Sequence, residues 1–342
     1  MRPWPGLRVI WWAGVLVLAL SSLAQARIVR LEISRTAPAF GGQSFGSTGV
    51  FERVVGRAYG EVDPGAPGNQ LIQDIALAPR NGRGMVEYSA DIEILRPADP
   101  AKSNGVLLFN VPNRGNKGAL ALFSAGLLTH PAASNQLASP GDGWLQRQGY
   151  TLVWFGWQAD ILPGGGRLTF QAPVARNPDG SPITGLVRSE FEVRAPRPSL
   201  NLSSGWFTRN THDSYPTVSP DSQTSFSDGF VPQLTVRPRE DAPRTPIASS
   251  EWSFGSCPQS GTAAPSEKQI CYPAGFQPGR IYELIYRAKD PKVLGLGFAV
   301  ARDLGSFLKY GPPEDAVRVA SDAPRMKSII MGASQSGRMI RS

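Results

Sequence analysis

The serine at position 334 has the sequence surroundings that a catalytic nucleophile needs. It follows an apolar segment, Met326 to Met331, and lies in the stretch GASQSG at positions 332–337. A serine hydroxyl at its ordinary pKa is a weak nucleophile, and a tight strand-to-helix turn raises it toward a base and an oxyanion site. Small residues two positions before and after the serine, here Gly332 and Ser336, permit that turn. The pattern predicts a nucleophile elbow, with an ordinary serine-rich turn as the alternative.

A second segment has the properties of an oxyanion-binding loop. In hydrolases with such an elbow, the oxyanion is bound by the backbone N–H after the serine, here that of Gln335, and by an N–H from an earlier loop. The segment FNVPNRGNKG follows a predicted strand, and Gly115 lets the backbone turn sharply. We therefore predict Gly115 and Asn116 as the second half of the oxyanion hole. The alternative is a plain strand-to-helix turn whose Arg and Lys side chains are solvated.

A serine nucleophile also requires a histidine and a carboxylate, which follow the serine in hydrolases of this type. The eight residues after Ser334 contain neither. Of the two histidines, His130 and His212 both lie in predicted loops, and His212 next to Asp213 is poorly arranged for a base and its acid. We therefore expect the histidine and the acid to be absent from this chain. The chain is then the N-terminal portion of a longer hydrolase, truncated after the elbow and inactive or nearly so.

The first 26 residues have the pattern of a secretory signal peptide. Arg2 and Arg8 precede an apolar stretch from Val9 to Leu20, and the segment Ala24-Gln25-Ala26 has the small-x-small form of a cleavage site. About a dozen apolar residues are too few for a bilayer-spanning helix, which needs roughly 20. We predict cleavage after Ala26, no stable membrane insertion, and a periplasmic or extracellular location.

Export makes a disulfide possible, because such bonds persist outside the reducing cytosol. The two cysteines, Cys257 and Cys271, enclose a polar, flexible stretch. A bridge there would stabilise the protein by roughly 3 kcal/mol. We predict this disulfide, with two free thiols as the alternative. No further ligands stand beside the cysteines, so we predict no metal site.

Composition limits the remaining classes of function. The chain has 342 residues, enough for a substantial core, and its 37 glycines and 31 prolines are typical of a loop-rich globular protein. Loss of Arg2 and Arg8 with the leader would lower the formal net charge from +8 to +6. Because the basic residues are scattered, we expect no nucleic-acid partner. The oligomeric state is not predicted.

The periodicity of apolar residues predicts the order of elements. Alternation with period two over residues 27–100 indicates an N-terminal β region. Nearly continuous apolar runs with helical segments between them, over residues 101–157, are typical of the first part of an α/β core. Residues 158–276 are predicted as a β-rich or irregular insertion that caps the site or merely decorates the fold. Residues 277–342 return to the α/β pattern.

One helix is predicted within the last region, in the segment PKVLGLGFAVARDLGSFLKYG, with Gly311 at its end. Its predicted apolar face contains Leu294, Phe298, Ala301 and Leu304. Gly295 and Gly297 lack the third glycine of a nucleotide-binding loop, so we expect close helix packing there and predict no cofactor.

Six segments in order resemble one protein family. They are GRAYGEVDP, DIALAPRNGRGMVEYSADIEILRP, NVPNRGNKG, GDGWLQRQGYTLVWFGWQ, LGLGFAVARDLGSFL and GASQSGR. Together they resemble the bacterial exported α/β-hydrolase-domain proteins that have an Asn-Arg-Gly-Asn-Lys loop and a Ser-Gln-Ser-Gly-Arg elbow. The resemblance covers nearly all of the mature chain. It implies an α/β-hydrolase fold, with Ser334 as nucleophile and hydrolysis of an ester. We expect that fold to be incomplete in this chain and the substrate to be a small-molecule or polymeric ester.

A non-catalytic function is the alternative. Eight tryptophans and the long predicted insertion would suit a secreted protein that binds a glycan or another polymer.

Overall fold

The computed structural model describes residues 27–125, 137, 139–203, 211–258, 264–311 and 327–342. The predicted signal peptide and His130 lie outside these ranges.

Strands predominate in the structure, at 40% against 16% for helices. The strands are β1 (Arg27–Pro38), β2 (Phe51–Val62), β3 (Val86–Pro97), β4 (Val106–Asn110), β5 (Thr151–Phe155), β6 (Phe170–Gln171), β7 (Thr184–Phe191), β8 (Arg197–Asn201), β9 (Gln233–Arg237), β10 (Thr245–Ile247), β11 (Ser253–Ser256), β12 (Ala264–Phe276), β13 (Ile281–Lys289) and β14 (Lys327–Met331). The α-helices are α1 (Ala119–Phe123), α2 (Trp144–Arg147), α3 (Leu296–Tyr310) and α4 (Gln335–Arg341). Short 3-10 turns occupy Phe40–Gly42, Gly46–Thr48, Ile75–Leu77 and Pro100–Lys102.

The first sheet carries the elbow. Its strands have the order β1-β2-β3-β5-β4-β14, and β6 pairs with β3. The strands β1, β2 and β3 form an antiparallel meander, whereas β4 runs parallel to both β5 and β14. The meander and the parallel strands therefore form one continuous mixed sheet.

The predicted α/β-hydrolase fold is wrong. Three mixed or antiparallel sheets with few helices replace the regular alternation of strand and helix. In the described residues, only β4, β5 and β14 pair in parallel, and α1 and α2 are only five and four residues long. The continuous apolar runs misled the prediction, because a strand buried on both faces of a mixed sheet has the same composition as one in a parallel sheet.

The central strands of the first sheet are buried on both faces. One face packs side chains such as Ile92 and Phe155 against α3. The other face packs Leu95 and Trp154 against residues of α1 and α2, including Leu145. This double burial accounts for the apolar character of the central strands. Strand β14, which leads into the elbow, ends the described sheet and is largely exposed.

The second and third sheets are antiparallel. The second has the order β10-β9-β13-β7 and the third the order β11-β12-β8. They share a core of aromatic side chains that includes Phe191, Phe254 and Phe276. Strand β13 pairs with β7 and β9, so its residues belong with the predicted insertion rather than with the first sheet.

The predicted disulfide is confirmed. Cys257 and Cys271 are bonded, with their Cα atoms 4.9 Å apart, and Cys271 is buried. The bond joins the end of β11 to its neighbour β12 within the third sheet.

Helix α3 is confirmed, but its apolar face is rotated from the prediction. Leu294 and Phe298 are 43% and 44% exposed, and the buried face instead contains Leu296, Ala299, Val300, Leu304 and Leu308. Close packing at the glycines is confirmed, because a Cβ on Gly297 would lie 2.1 Å from the carbonyl oxygen of Trp157. Among the described helices, none has the length and apolarity needed to cross a bilayer.

Candidate functional site

Ser334 lies in a strained backbone conformation between β14 and α4. Its φ is 57° and its ψ is −118°, and the residue is exposed. A side chain at positive φ in this region strains the backbone by about 1–3 kcal/mol and persists only where the surrounding structure requires it. The structure thus forms the strand, tight turn and helix that the sequence predicts, with the serine at the tip.

The small residues around Ser334 explain why the turn closes. A Cβ on Gly332 would lie 2.6 Å from the carbonyl oxygen of Ser336, so any larger residue would collide with the first turn of α4. Ser336 replaces the commoner second glycine and is buried. Its Oγ accepts a hydrogen bond from the N–H of Ala333 at 3.0 Å and donates to the carbonyl oxygen of Ala333 at 2.9 Å. The buried hydroxyl of Ser336 therefore stabilises the elbow through its two hydrogen bonds to Ala333.

The loop after β4 forms a tight turn that touches the elbow. The N–H groups of Asn113 and Asn116 each donate to the other's carbonyl oxygen, at 3.1 and 3.0 Å. The two residues between them, Arg114 and Gly115, have φ of 53° and 75°, as in a type I′ turn. The side-chain amide of Asn113 donates to the carbonyl oxygen of Ala333 at 3.2 Å. The structure therefore brings together the two motifs that sequence reasoning selected.

Buried polar groups hold this loop in place. Asn110, at the end of β4, accepts hydrogen bonds through Oδ1 from Trp154 Nε1 and from the N–H groups of Gly118 and Ala119, at 2.8, 2.8 and 2.9 Å. The first contact ties the loop to β5, and the other two order the start of α1. Sequence reasoning missed Asn110, although a polar residue ending an apolar strand is a usable signal.

Lys117 anchors the loop more deeply than predicted. Its ammonium lies 2.6 Å from a carboxylate oxygen of Glu93, and both side chains are buried. Arg53 donates two hydrogen bonds to the same carboxylate, at 2.8 and 2.9 Å. Burial lowers the pKa of Lys117, while the adjacent Glu93 carboxylate acts to raise it. The alternative of a solvated lysine is therefore wrong.

The three residues predicted to form the oxyanion hole, Gly115, Asn116 and Gln335, differ in the hydrogen bonds of their backbone groups. Gly115 is buried, and its carbonyl oxygen accepts from the N–H of Leu168 at 2.9 Å. The N–H of Asn116 donates within the turn to Asn113. Gln335 is the first residue of α4, and the N–H at that position has no acceptor within the helix. Asn113 is the loop residue whose side chain reaches the elbow, and sequence reasoning did not select it.

Two polar side-chain atoms, one in the loop after β4 and one in the elbow, are buried without a partner in the described residues. One is Nε of Arg114 and the other is the side-chain oxygen of Gln335. Arg114 is otherwise well held, because its N–H donates to Gln158 Oε1 at 2.9 Å and its Nη1 donates to Asn113 Oδ1 at 3.1 Å. Because the side-chain amide of Asn113 also donates to the carbonyl oxygen of Ala333, Asn113 links the guanidinium of Arg114 to the residue that precedes Ser334.

The structure does not place a base at Ser334. Within the described part of the chain, no histidine or carboxylate hydrogen-bonds its hydroxyl. His212 is buried and pairs with Ile161 in an isolated bridge, and its ring contacts Thr211 at 2.9 Å and Asp160 at 4.0 Å.

Comparisons of this chain with protein-family models, with curated proteins and with solved structures find no match. The resemblance to exported hydrolases therefore stays a prediction from the sequence motifs.

Proposed function

We propose that this protein is an exported serine hydrolase that acts on carboxylic esters, with Ser334 as the nucleophile. The strained φ of Ser334, at the tip of a strand-turn-helix, is the observation that supports this proposal most directly. A serine in an ordinary turn has no need of such strain, whereas a nucleophile gains exposure from it.

The reaction follows from the position of the hydroxyl. Ser334 Oγ attacks the ester carbonyl carbon, the new C–O bond forms, and the carbonyl oxygen becomes an oxyanion to which the N–H of Gln335 donates. The oxyanion collapses, and the alcohol leaves with the proton that came from Oγ. Water then releases the acid from the acyl-enzyme by the same route.

Efficient turnover requires a general base that takes the proton from Ser334 and returns it to the leaving alcohol. The described residues bring neither a histidine nor a carboxylate to the hydroxyl. With no base from the described residues at the hydroxyl, we expect ester turnover to be slow.

Export is part of the proposal. The disulfide between Cys257 and Cys271 suits an oxidising compartment. Together with the predicted signal peptide, it favours a periplasmic or extracellular location.

The described tryptophans give little support to the alternative function, the binding of a polymer. Among the tryptophans in described positions, Trp154 and Trp252 are buried in cores, and Trp157 packs against the first core. Trp144 is 41% exposed. A glycan-binding face normally presents several aromatic rings to solvent, so a single exposed ring does not favour that function.

Ester turnover in the protein tests the proposal. We expect Ser334→Ala to lower the rate by at least a hundredfold, because it removes the nucleophile. Ser328→Ala, which changes an exposed serine of β14, is the matched control and should leave the rate unchanged. Unchanged turnover in the Ser334→Ala protein would rule out the proposed nucleophile.

A further inference from the structure

A cavity of about 200 Å³ lies where the second sheet meets loops that leave the first. Residues of β7 and β13, the end of the segment after β8, the loop after β5 and the segment before α3 all contribute to its lining. That described lining includes neither the elbow nor the loop after β4. Cavities for drug-sized molecules are roughly 300–1,000 Å³, so this one suits a smaller ligand.

The inner part of the lining is apolar. Leu202 and Tyr286 are 0% and 1% exposed, and Val187 packs against the same core. The hydroxyl of Tyr286 donates to the carbonyl oxygen of Tyr215 at 2.8 Å, which fixes the ring in place. An apolar group of a ligand would therefore gain from burial against this wall.

Asp160 places a carboxylate in the same lining. Its side chain is 39% exposed, and its one ionic contact within the described residues is with His212, whose Nε2 lies 4.0 Å from Oδ2. That distance is too long for a hydrogen bond. The carboxylate of Asp160 is therefore available to an ammonium group from outside.

Lys292 places an ammonium group in the lining as well. Its Nζ donates to the carbonyl oxygen of Ala159 at 2.8 Å and lies 3.7 Å from Oδ2 of Asp213. Lys268 binds both carboxylate oxygens of Asp213 more closely, at 2.8 and 2.9 Å. Because one carboxylate serves two ammonium groups, the charge of Lys292 is only partly offset.

The two charges in the lining are neighbours that do not pair. Lys292 is hydrogen-bonded to the residue immediately before Asp160, yet the ammonium and the Asp160 carboxylate form no ion pair with each other in the described structure. One anion and one cation beside an apolar wall match a molecule that carries an ammonium and a carboxylate on one carbon atom. Hydrogen bonds between ionised groups are stronger than those between neutral ones.

We propose that this cavity binds a free α-amino acid with an apolar side chain. Asp160 accepts hydrogen bonds from the α-ammonium, Lys292 donates to the α-carboxylate, and the side chain packs against Leu202 and Tyr286. This binding goes beyond the proposed hydrolysis and does not depend on it.

Three small molecules of matched shape test the proposal by calorimetric titration into the protein. L-leucine has both charged groups, isopentylamine lacks the carboxylate, and 4-methylpentanoate lacks the ammonium. We expect L-leucine to bind at least tenfold more tightly than either analogue, since each analogue loses one hydrogen bond between charged groups. Equal affinities for the three, or no binding of L-leucine, would overturn the proposal.

Two variants test the two charged residues separately. We expect Asp160→Asn to weaken L-leucine about tenfold and to change the affinity for 4-methylpentanoate less than twofold, because that analogue has no ammonium. Lys292→Gln should weaken L-leucine similarly and leave isopentylamine within twofold. Each variant stands as a test if the other fails to fold.

Asp241→Asn is the matched control. Asp241 forms an exposed ion pair with Arg239 and does not line the cavity, so the affinity for L-leucine should stay within twofold. A variant of Asp160 or Lys292 that binds L-leucine as well as the control does would contradict the role of that residue. Loss of all three ligands in Asp160→Asn would contradict recognition of the ammonium by this carboxylate.

Discussion

At the scale of single residues, the backbone of Ser334 is the most informative feature of the molecule. Its strain is local, and the neighbours that maintain it are identified. Gly332 leaves room for the turn, and Ser336 closes it with two hydrogen bonds to Ala333. The sequence pattern was sufficient to predict this elbow, because the requirement for small residues on both sides of the serine is steric and acts over only a few positions.

Relief of this strain should be measurable. We expect Ser334→Gly to stabilise the protein by about 1 kcal/mol relative to Ser334→Ala, because both remove the hydroxyl but only glycine adopts positive φ without strain. Part of the gain is offset by the greater freedom of glycine in the unfolded chain. Urea unfolding of the two variants measures the difference, and hydrogen exchange of α4 amides reports it locally. Equal stabilities would show that Ser334 is not strained.

At the scale of elements, the loop after β4 joins the elbow to the centre of the first sheet. Lys117 enters the buried cluster of Glu93 and Arg53, while Asn113, four residues earlier, contacts Ala333. The sequence identified the loop by its glycine and its place after a strand. It could not reveal the buried ion pair, because Glu93 lies on the polar side of an alternating strand and its partner comes from another element.

Breaking this anchor should destabilise the fold. We expect Lys117→Met to lower the free energy of unfolding by about 3 kcal/mol, because removal of one partner leaves the buried Glu93 carboxylate with fewer compensating charges. Lys102→Met, at an exposed position before β4, is the control and should change stability by less than about 0.5 kcal/mol. Urea denaturation followed by tryptophan fluorescence measures both. A loss no larger than that of the control would mean that Lys117 contributes no anchor.

At the scale of the whole molecule, three sheets replace the predicted α/β core. Much of the strand content was predictable: β2 lies in the predicted N-terminal β region, β4 and β5 lie among the apolar runs of residues 101–157, and β14 coincides with the apolar segment before Ser334. Their pairing was not, because β13 carries the same apolar pattern whether it joins the first sheet or the second. The face of α3 was missed for a similar reason: it is selected by contact with the first sheet, and Phe298 is apolar enough to belong to either face.

A charged cluster ties the second sheet together and gives the protein a defined response to acid. Glu283 on β13 accepts hydrogen bonds from Arg244 at 2.8 and 3.0 Å and from Arg188 on β7 at 2.8 Å. The hydrogen bond from Arg244 holds the pKa of Glu283 below its ordinary value of 4.5, and burial opposes it. Because the folded pKa is lowered, this stabilisation is present above pH 4.5 and is lost as the pH falls through the lowered value.

The variant Glu283→Gln should remove this part of the pH dependence. We expect it to be less stable than the wild type at pH 7, and the difference between the two to shrink as the pH falls toward 3. Urea midpoints at a series of pH values provide the measurement. Glu267→Gln, in an exposed ion pair with Lys289, is the control and should have little effect at either pH. A difference that does not vary with pH would contradict the assigned role of Glu283.

The most direct test of the nucleophile is to find where a serine-directed reagent reacts. The protein is treated with a fluorophosphonate, and the modified residue is located by peptide mass spectrometry. We predict one adduct, on Ser334, that disappears in Ser334→Ala and persists in Ser328→Ala. An adduct elsewhere, or no adduct in a protein that still hydrolyses esters, would show that the strained serine is not the nucleophile.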